Sequence, residues 1–449
     1  MVSNNSPNVA EARRSNIRYL IVAMLFWATA VNYGDRATLS IAGTAISKQL
    51  HLGPVAMGYI FSAFGWAYVA GQIPGGWLLD RFGSKNVYAV SLLAWSVFTM
   101  LQGTVGAFSA TTAVVVLFTL RALVGLAECP SFPGNARIVA AWFPAKERGT
   151  ASAIFNSAQY FATVLFAPIM GWITSALGWH YVFYFMGTVG IVTGLVWLKV
   201  MDSPKDHPRV NKAELQYLEE GGALVNLDQG PKAASGGAAS VPKWSYMKQL
   251  LTNRMLLGVY VGQYCITTLT YFFLTWFPIY LVQGRGMSIL KAGFVASLPA
   301  LCGFGGGVLG GVFSDGLLRK GFSLTAARKT PIVVGMLLSV SMIACNYVNS
   351  QVAVVFIMAF AFFGKGLGAL GWAVVSDTSP KQIAGLSGGL FNTFGNTAGI
   401  TTPIVIGYIV KYTGSFNGAL VFVGINALLA IVCYLVIVGD IKRVELKQI

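Results

Sequence analysis

The chain has 449 residues, 55% of them hydrophobic and 10% charged, with a net charge of +16. Soluble domains run about 25% charged, so a water-soluble fold would have to bury nearly every side chain, and that class is excluded. Nucleic-acid binding is excluded as well, because the basic residues sit in short loops between apolar runs rather than on one continuous patch.

The chain opens with Arg13, Arg14 and Arg18 and then turns apolar from Tyr19 to Asp35. Ala28-Thr29-Ala30 has the spacing of a leader cleavage site, but cutting there would delete half of a first membrane helix, so a retained span is expected. Twelve apolar segments follow, each near the ~20 residues that a bilayer requires. Their centres fall near Met24, Ala67, Ala94, Leu123, Phe161 and Ile191, and then near Thr268, Gly305, Leu337, Phe362, Gly399 and Ala427. One long polar stretch, Asp202 to Gln249, separates the two sets. It holds Pro204, Pro208, the charged run around Glu219-Glu220 and a Pro/Ala/Ser/Gly-rich piece, Gly230 to Pro242, and reads as a linker with one short surface helix at Lys212–Glu220. The expected fold is an all-α membrane protein with twelve transmembrane helices in two pseudo-symmetric six-helix bundles. Its parts are an N-tail (1–16), a first bundle (17–201), the linker (202–250), a second bundle (251–440) and a C-tail (441–449).

Orientation follows from lysine and arginine in the loops. Loops on the linker side, with both tails, carry 23 and the opposite loops carry 4: Lys48, Arg285, Lys291 and Lys411. That asymmetry is expected to place the N-tail, the linker and the C-tail in the cytoplasm. The two halves repeat at an offset of 236: Gly149–Asn156 aligns with Gly385–Asn392, each followed by a Pro near a Gly. Two matched halves around a linker describe a transporter with its site at the seam.

Five charged side chains interrupt the spans: Asp35, Arg36, Arg121, Glu128 and Lys365. Each costs roughly 2.5–3.5 kcal/mol at mid-bilayer on the gentlest scale, so together they mark a path for a charged solute. Asp35 and Glu128 are the proton-carrier candidates. Arg121 shares a helix face with Glu128 at a spacing of seven and is expected to neutralise it, unless the two form a locked pair that only fixes packing. Arg36 offers a planar fork to a substrate carboxylate. Lys365 comes from the other half, about 18 Å from Asp377 at 1.5 Å per residue, too deep to snorkel easily. Arg36 and Lys365 can therefore clamp the two ends of a diacid.

Tyr33, Tyr68, Gln72, Asn156, Gln159, Gln263, Tyr264, Trp372, Asn392 and Asn396 supply neutral donors, acceptors and stacking faces for sugar hydroxyls. Hydrogen bonding between helices is the competing use of such groups. Asn392 is the repeat partner of Asn156, which brings one amide from each half to the pseudo-axis. Asp80, Arg81 and Lys85 form a loop whose expected role is gating, with Arg137, Glu147 and Arg148 as partners. Gly305-x-Gly307-x-x-Gly310 imitates a dinucleotide fingerprint but lacks the strand that would precede it, so it reads as close helix packing. The cysteines, 129, 265, 302, 345 and 433, are single, and the three histidines, 51, 180 and 207, fall outside the expected spans. No disulfide, metal site, cofactor or catalytic residue is indicated. Lipid, protons and a small organic anion are the expected partners of a monomer, and a membrane-embedded enzyme or sensor is the remote alternative.

Gly76-x-x-x-Asp80-Arg81-x-Gly83-x-Lys85 resembles the signature loop of the major facilitator superfamily. Asn32-Tyr33-Gly34-Asp35-Arg36, Gln72–Trp77 and Arg121-x6-Glu128-x-Pro130-x-Phe132-Pro133 resemble its anion:cation symporter family, as do Trp276-Phe277-Pro278 and Gly439–Arg443. The resemblance runs from about Ile17 to Glu445. Phe363–Trp372 and Arg121–Leu126 are most similar to the bacterial glucarate/galactarate proton symporters, with galactonate or hexuronate symport as the alternative in the same family. The resemblance implies that Tyr33, Arg36, Tyr68, Arg121, Gln159, Trp372 and Asn392 contribute to a substrate site. Cys129 stands where relatives usually carry Ala.

Overall fold

The computed structural model describes residues 14–227, 244–380 and 383–445. The whole Gly230–Pro242 piece of the linker lies outside these. Among the described residues the chain is helical and has no strand. The first half comprises α1 (Ile17–Gln49), α2 (Pro54–Phe82), α3 (Ser84–Gln102), α4 (Ala110–Glu128), α5 (Ser131–Trp142), α6 (Arg148–Ala176) and α7 (Trp179–Val200). The linker holds α8 (Lys212–Glu220) and α9 (Trp244–Thr252). The second half comprises α10 (Arg254–Tyr271), α11 (Phe277–Ile279), α12 (Ile289–Arg319), α13 (Leu324–Val340), α14 (Gln351–Leu367), α15 (Gly371–Thr378), α16 (Ala384–Thr413) and α17 (Asn417–Val432).

These helices make twelve crossings, because α4 with α5, α10 with α11, and α14 with α15 each form one span. Ten of the crossings are long and apolar enough to span a bilayer; α2, rich in Gly, and α16, rich in Gly, Thr and Asn, are the other two. The breaks have local causes. Pro130 has no N–H to continue α4, and Gly368-Ala369-Leu370 interrupts the tenth crossing. On either side of Pro278 the seventh crossing widens into π turns, Phe272–Trp276 and Tyr280–Gly284, the form that helix interruptions take near functional sites.

The first helix departs from expectation. It continues fourteen residues beyond Asp35, to Gln49, so its middle lies near Tyr33 rather than Met24. Asp35 and Arg36 are therefore central. The dinucleotide-like pattern is also redistributed: Gly303, Gly306 and Gly310 face α14 at backbone distance, whereas Gly305 meets nothing within 4 Å and Gly307 nothing closer than 3.9 Å. The packing stripe is thus the i, i+3, i+7 set, of which the motif names one member. His180 is the second residue of α7, stacked on Trp179, and so lies within a span.

The linker side of the first half is strapped. Glu214 on α8 is fully buried; it accepts hydrogen bonds from the Ile17 and Arg18 backbone N–H groups at 2.9 and 3.2 Å, from the Arg18 guanidinium at 3.3 Å and from the Ser15 hydroxyl. Burial alone would raise its pKa, but these donors outweigh burial and hold the carboxyl below its usual range. A depressed folded pKa means that this stabilisation is present above the ordinary carboxylate range and fades only as pH falls through the lower folded value. Charge-assisted bonds of this kind contribute about 1.5–3 kcal/mol each. Glu214→Gln at neutral pH is therefore expected to raise trypsin cleavage at Lys212 by about tenfold or more, measured on the detergent-solubilised protein. An unchanged rate would show that α8 is held by other contacts.

Candidate functional site

The two halves meet through glycines. Built onto Gly58, a Cβ would lie 2.6 Å from the Pro403 carbonyl oxygen; on Gly65, 3.0 Å from the Gly399 backbone; and on Gly407, 2.7 Å from the Pro54 carbonyl oxygen. Tyr59 and Tyr408 hydroxyls stand 3.4 Å apart on the same seam. Gly293 of α12 crosses Ala167 and Gly171 of α6 equally closely, at 2.7 and 3.0 Å. All of these contacts lie in the halves of the helices away from the linker. Toward the linker, Gly76, Gly149, Gly311 and Gly389 have nothing within 4 Å. The seam is shut on the far side and parted on the linker side.

At mid-depth the first half gathers its charges. The Arg36 Nε donates to Glu128 Oε2 at 2.9 Å, and both residues are buried. The guanidinium lies among the rings of Tyr33, Phe64 and Tyr68, 4.8, 4.5 and 5.0 Å from their centroids, where cation–π attraction replaces part of the lost hydration. Its Nη2 has no hydrogen-bond partner, nor does Glu128 Oε1. Both carboxyl oxygens of Asp35 are buried and unpartnered; the Trp95 indole N–H faces them without completing a hydrogen bond.

Arg121 lies within electrostatic reach of Glu128, as expected, but forms no ion pair with it. Arg121 instead donates to the backbone carbonyls of Asp35 and Arg36, at 3.3 and 2.8 Å, and pins the centre of α1. Seven residues separate Arg121 from Glu128 by about 10.5 Å along the axis, so the side chain arriving from α1 is nearer. Buried pairs of this sort are poor stabilisers relative to well-packed apolar residues, so stability does not explain their retention. Cys129 packs its thiol against Gly71 and Gly75 of α2 without disturbing the pair.

A partly open cleft, about 600 Å³ with the solvent space at its mouth included, lies at the middle of the seam, with Tyr33, Gln159, Tyr160, Thr163, Phe273 and Phe362 among its walls. Lys365 stands behind two of these rings, 5.9 Å from Tyr160 and 5.3 Å from Phe362, and is 6% exposed. The remaining candidates do not all join this cluster. Asn156 is exposed and bonds the Ser152 carbonyl, and Gln159 bonds the Asn156 carbonyl. Asn392 accepts from Asn396, Gln263 donates to Thr267, and Tyr264 bonds Thr401 across α10 and α16 at 2.7 Å. Trp372, 55% exposed, stands edge-on to Phe391 beside the parted side of the seam. Asn156 and Asn392 make no contact with each other; the parted seam keeps the two amides on separate walls. Gln72 lies one turn beyond Tyr68 on α2.

Tyr271 was not singled out in the sequence. Its hydroxyl donates to Asn396 at 3.1 Å, it packs against Gly399, and it lies within electrostatic reach of Arg36. The repeat offset was the available signal, since 236 residues carry Asp35 onto Tyr271.

The loop charges stay within their own half. Arg137 donates to Asp80 at 2.5 Å and to the Leu227 carbonyl at 3.1 Å, Lys85 pairs with Asp202 at 3.0 Å, and Arg81 lies over Trp77 and Phe82. Arg328 with Asp315 and Asp377 repeats the arrangement in the second half. Two expected partners of the loop are corrected: Glu147 pairs with Arg18 and Tyr217, and Arg148 bonds the carbonyls of Phe143, Ala140 and Gly222. Among the described residues no three His, Cys, Asp or Glu side chains converge as a metal site would require.

Two six-helix halves, a seam shut on one face and parted on the other, and a buried charge cluster at mid-depth define a secondary carrier. The Major Facilitator Superfamily profile matches residues 25–327, and the chain belongs to that family. It is 67% identical to the "Probable galactarate/D-glucarate transporter GudP" of Bacillus subtilis (strain 168), over 97% of this chain and 95% of the relative. It is 66% identical to the protein of the same description from Escherichia coli (strain K12), over 97% of each. A "D-galactonate transporter" of Escherichia coli O6:H1 is 41% identical over 97% of this chain and 99% of the relative. Among solved structures, a bacterial homologue of the lysosomal transporter Spinster in an inward-facing, occupied conformation superposes with a TM-score of 0.71 at 16% identity, covering 93% of this chain and 96% of that one. A D-xylose-proton symporter gives 0.70 at 14%, covering 94% and 98%. These two likenesses concern the fold alone. The chain is a multi-pass membrane transporter, not an enzyme.

Proposed function

We propose that the protein imports a hexarate dianion, galactarate or D-glucarate, together with protons, across a bacterial inner membrane with both termini in the cytoplasm. The observation that carries this reading is the half-satisfied cluster of Arg36, Glu128 and Asp35: a guanidinium with one edge bound and one edge free, beside a carboxylate with no partner. A proton on Glu128 removes the charge that holds Arg36 and releases its fork for a substrate carboxylate. Loss of that proton restores the pair and displaces the substrate. Asp35 gives a second protonation site in the same half, so two protons accompany one dianion and the loaded carrier moves no net charge. Tyr33, Tyr68 and Gln159 would contact the hydroxyls near Arg36, and Gln72, Asn156, Gln263, Tyr264, Trp372, Asn392 and Asn396 would complete the site from both walls as the linker side closes. The loop pairs of Asp80, Arg81, Lys85 and Arg137 would stiffen each half so that it moves as a body. Protons are the only coupling ion and no cofactor is needed; the carrier works as a monomer.

In proteoliposomes, labelled D-glucarate and galactarate are expected to accumulate against their gradients when the interior is alkaline, with net flux reversing at the pH difference that balances two protons per substrate and independent of the membrane voltage. The name of the 41% identical relative supplies the alternative. Gradient-driven uptake of D-galactonate with no response to either hexarate would replace the substrate assignment. One proton per dianion would remove the electroneutral cycle.

A further inference from the structure

Lys365 is the buried charge that the exchange at Arg36 leaves unused. Its side chain makes no ion pair or hydrogen bond among the described residues, although it is 6% exposed. The carboxylates of the second half that flank its span, Asp315 and Asp377, are paired with Arg328 at the linker side. Glu128, in the other half, is held by Arg36. The ammonium is left with the faces of Tyr160 and Phe362, which attract a cation but do not neutralise it.

Its position is fixed from below. A Cβ on Gly364 would lie 2.6 Å from Leu338 Cβ, and one on Gly366 would lie 2.9 Å from the Gly307 backbone nitrogen. α14 is thus wedged at backbone contact between α13 and α12, and the stem of Lys365 leaves a rigid element. The repeat adds a second observation. α4, the fourth crossing of the first half, stops at Glu128; α14, the matching crossing of the second half, stops at Leu367 with Lys365 in its last turn. Each half breaks the same helix and places one charge at the break, with opposite signs. The two free cationic edges then flank one cavity: Arg36 lies over Tyr33, Lys365 lies over Tyr160 and Phe362, and all three rings are walls of that cavity.

We infer that Lys365 is the specificity residue for the far carboxylate of the substrate, so that the carrier selects diacids over the corresponding monoacids. The inference rests on the hexarate reading above and goes beyond it by assigning the discrimination to one side chain of the second half. With Arg36 on one end and Lys365 on the other, a diacid ties the halves together, while a monoacid leaves the ammonium unpaired.

The test is thermal stabilisation of the purified full-length protein by D-glucarate and by D-gluconate, which differ in one terminal carboxylate, followed by KM and Vmax for D-glucarate in proteoliposomes. Wild type is expected to prefer D-glucarate. Lys365→Gln and Lys365→Met should bring D-glucarate down to the D-gluconate level, a loss of about tenfold or more, carried by KM, with the D-gluconate response unchanged. Lys365→Arg should restore most of the preference. The unchanged D-gluconate response also shows that the variants are folded. A D-glucarate preference that survives in either uncharged variant, or an equal loss for both acids, overturns the inference while leaving the hexarate reading intact. A wild type with no hexarate response overturns both.

Discussion

Asp35→Asn and Glu128→Gln are each expected to leave D-glucarate counterflow running while pH-gradient-driven accumulation falls to simple equilibration. Counterflow needs binding and reorientation only; accumulation needs a group that takes a proton on one side and gives it up on the other. Gln at 128 keeps an acceptor for the Arg36 Nε, now 2.9 Å from the carboxylate, but removes the negative charge, so the guanidinium keeps a bond charged on one side only and loses its ion-pair attraction. Arg36 is then released more easily. The variant should therefore bind D-glucarate more tightly at neutral pH than wild type does and lose the dependence of affinity on pH. Asn at 35 replaces a carboxylate whose oxygens have no partner, so the protein should melt no lower than wild type, because an unpaired buried charge is removed. Accumulation persisting in both variants would reject the coupling assignment. Counterflow lost in both would move the two acids from coupling to binding.

Much of the architecture was legible because membrane physics writes it in blocks. Apolar runs near the bilayer length, lysine and arginine gathered on one side and the Gly149/Gly385 repeat need no tertiary information. What was not legible is instructive. The apolar run stops at Asp35, so hydropathy centres the first helix near Met24; a buried charged pair looks like a helix end until Glu128 and the Arg121 contacts are seen around it. Spacing of seven correctly sets Arg121 and Glu128 on one face but says nothing of a nearer partner arriving from another helix. Backbone carbonyls, the acceptors that Arg121 uses, have no sequence signature at all. Tyr160 and Tyr271 were two tyrosines among eighteen. Only the repeat offset distinguishes Tyr271, and only the position of Lys365 distinguishes Tyr160.

Bulky residues on the α2 glycines should trap the carrier, and in opposite directions at the two ends of the helix. On the shut side the pairing runs antiparallel: Pro54 with Gly407, Gly58 with Pro403, Gly65 with Gly399. A side chain at Gly58 or Gly65 meets backbone, which cannot turn aside as a side chain would. Overpacking of this kind costs about 1–3 kcal/mol per site, and the two sites, about 10.5 Å apart along the helix, should add. Gly58→Val/Gly65→Val would thus disfavour the far-side seal by about 2–6 kcal/mol, roughly 30- to 25,000-fold in the ratio of states. Uptake should collapse while ligand still binds from the far side. Continuing the same register toward the linker brings Gly76 opposite Gly388 and Gly389. In the parted state Gly76 and Gly389 meet nothing within 4 Å, and the nearest atom to Gly388 is in Trp372, 3.5 Å away. Gly76→Val and Gly389→Val cost nothing in the present conformation and penalise only the one in which the linker side closes. They should hold the carrier open to the linker and make far-side cysteines of α2 and α16, introduced at Tyr59 and Tyr408, less reactive to an impermeant maleimide, whereas the Gly58/Gly65 pair should make them more reactive. Equal labelling in the two sets of variants would mean that the glycine seam is not the surface on which the halves rock.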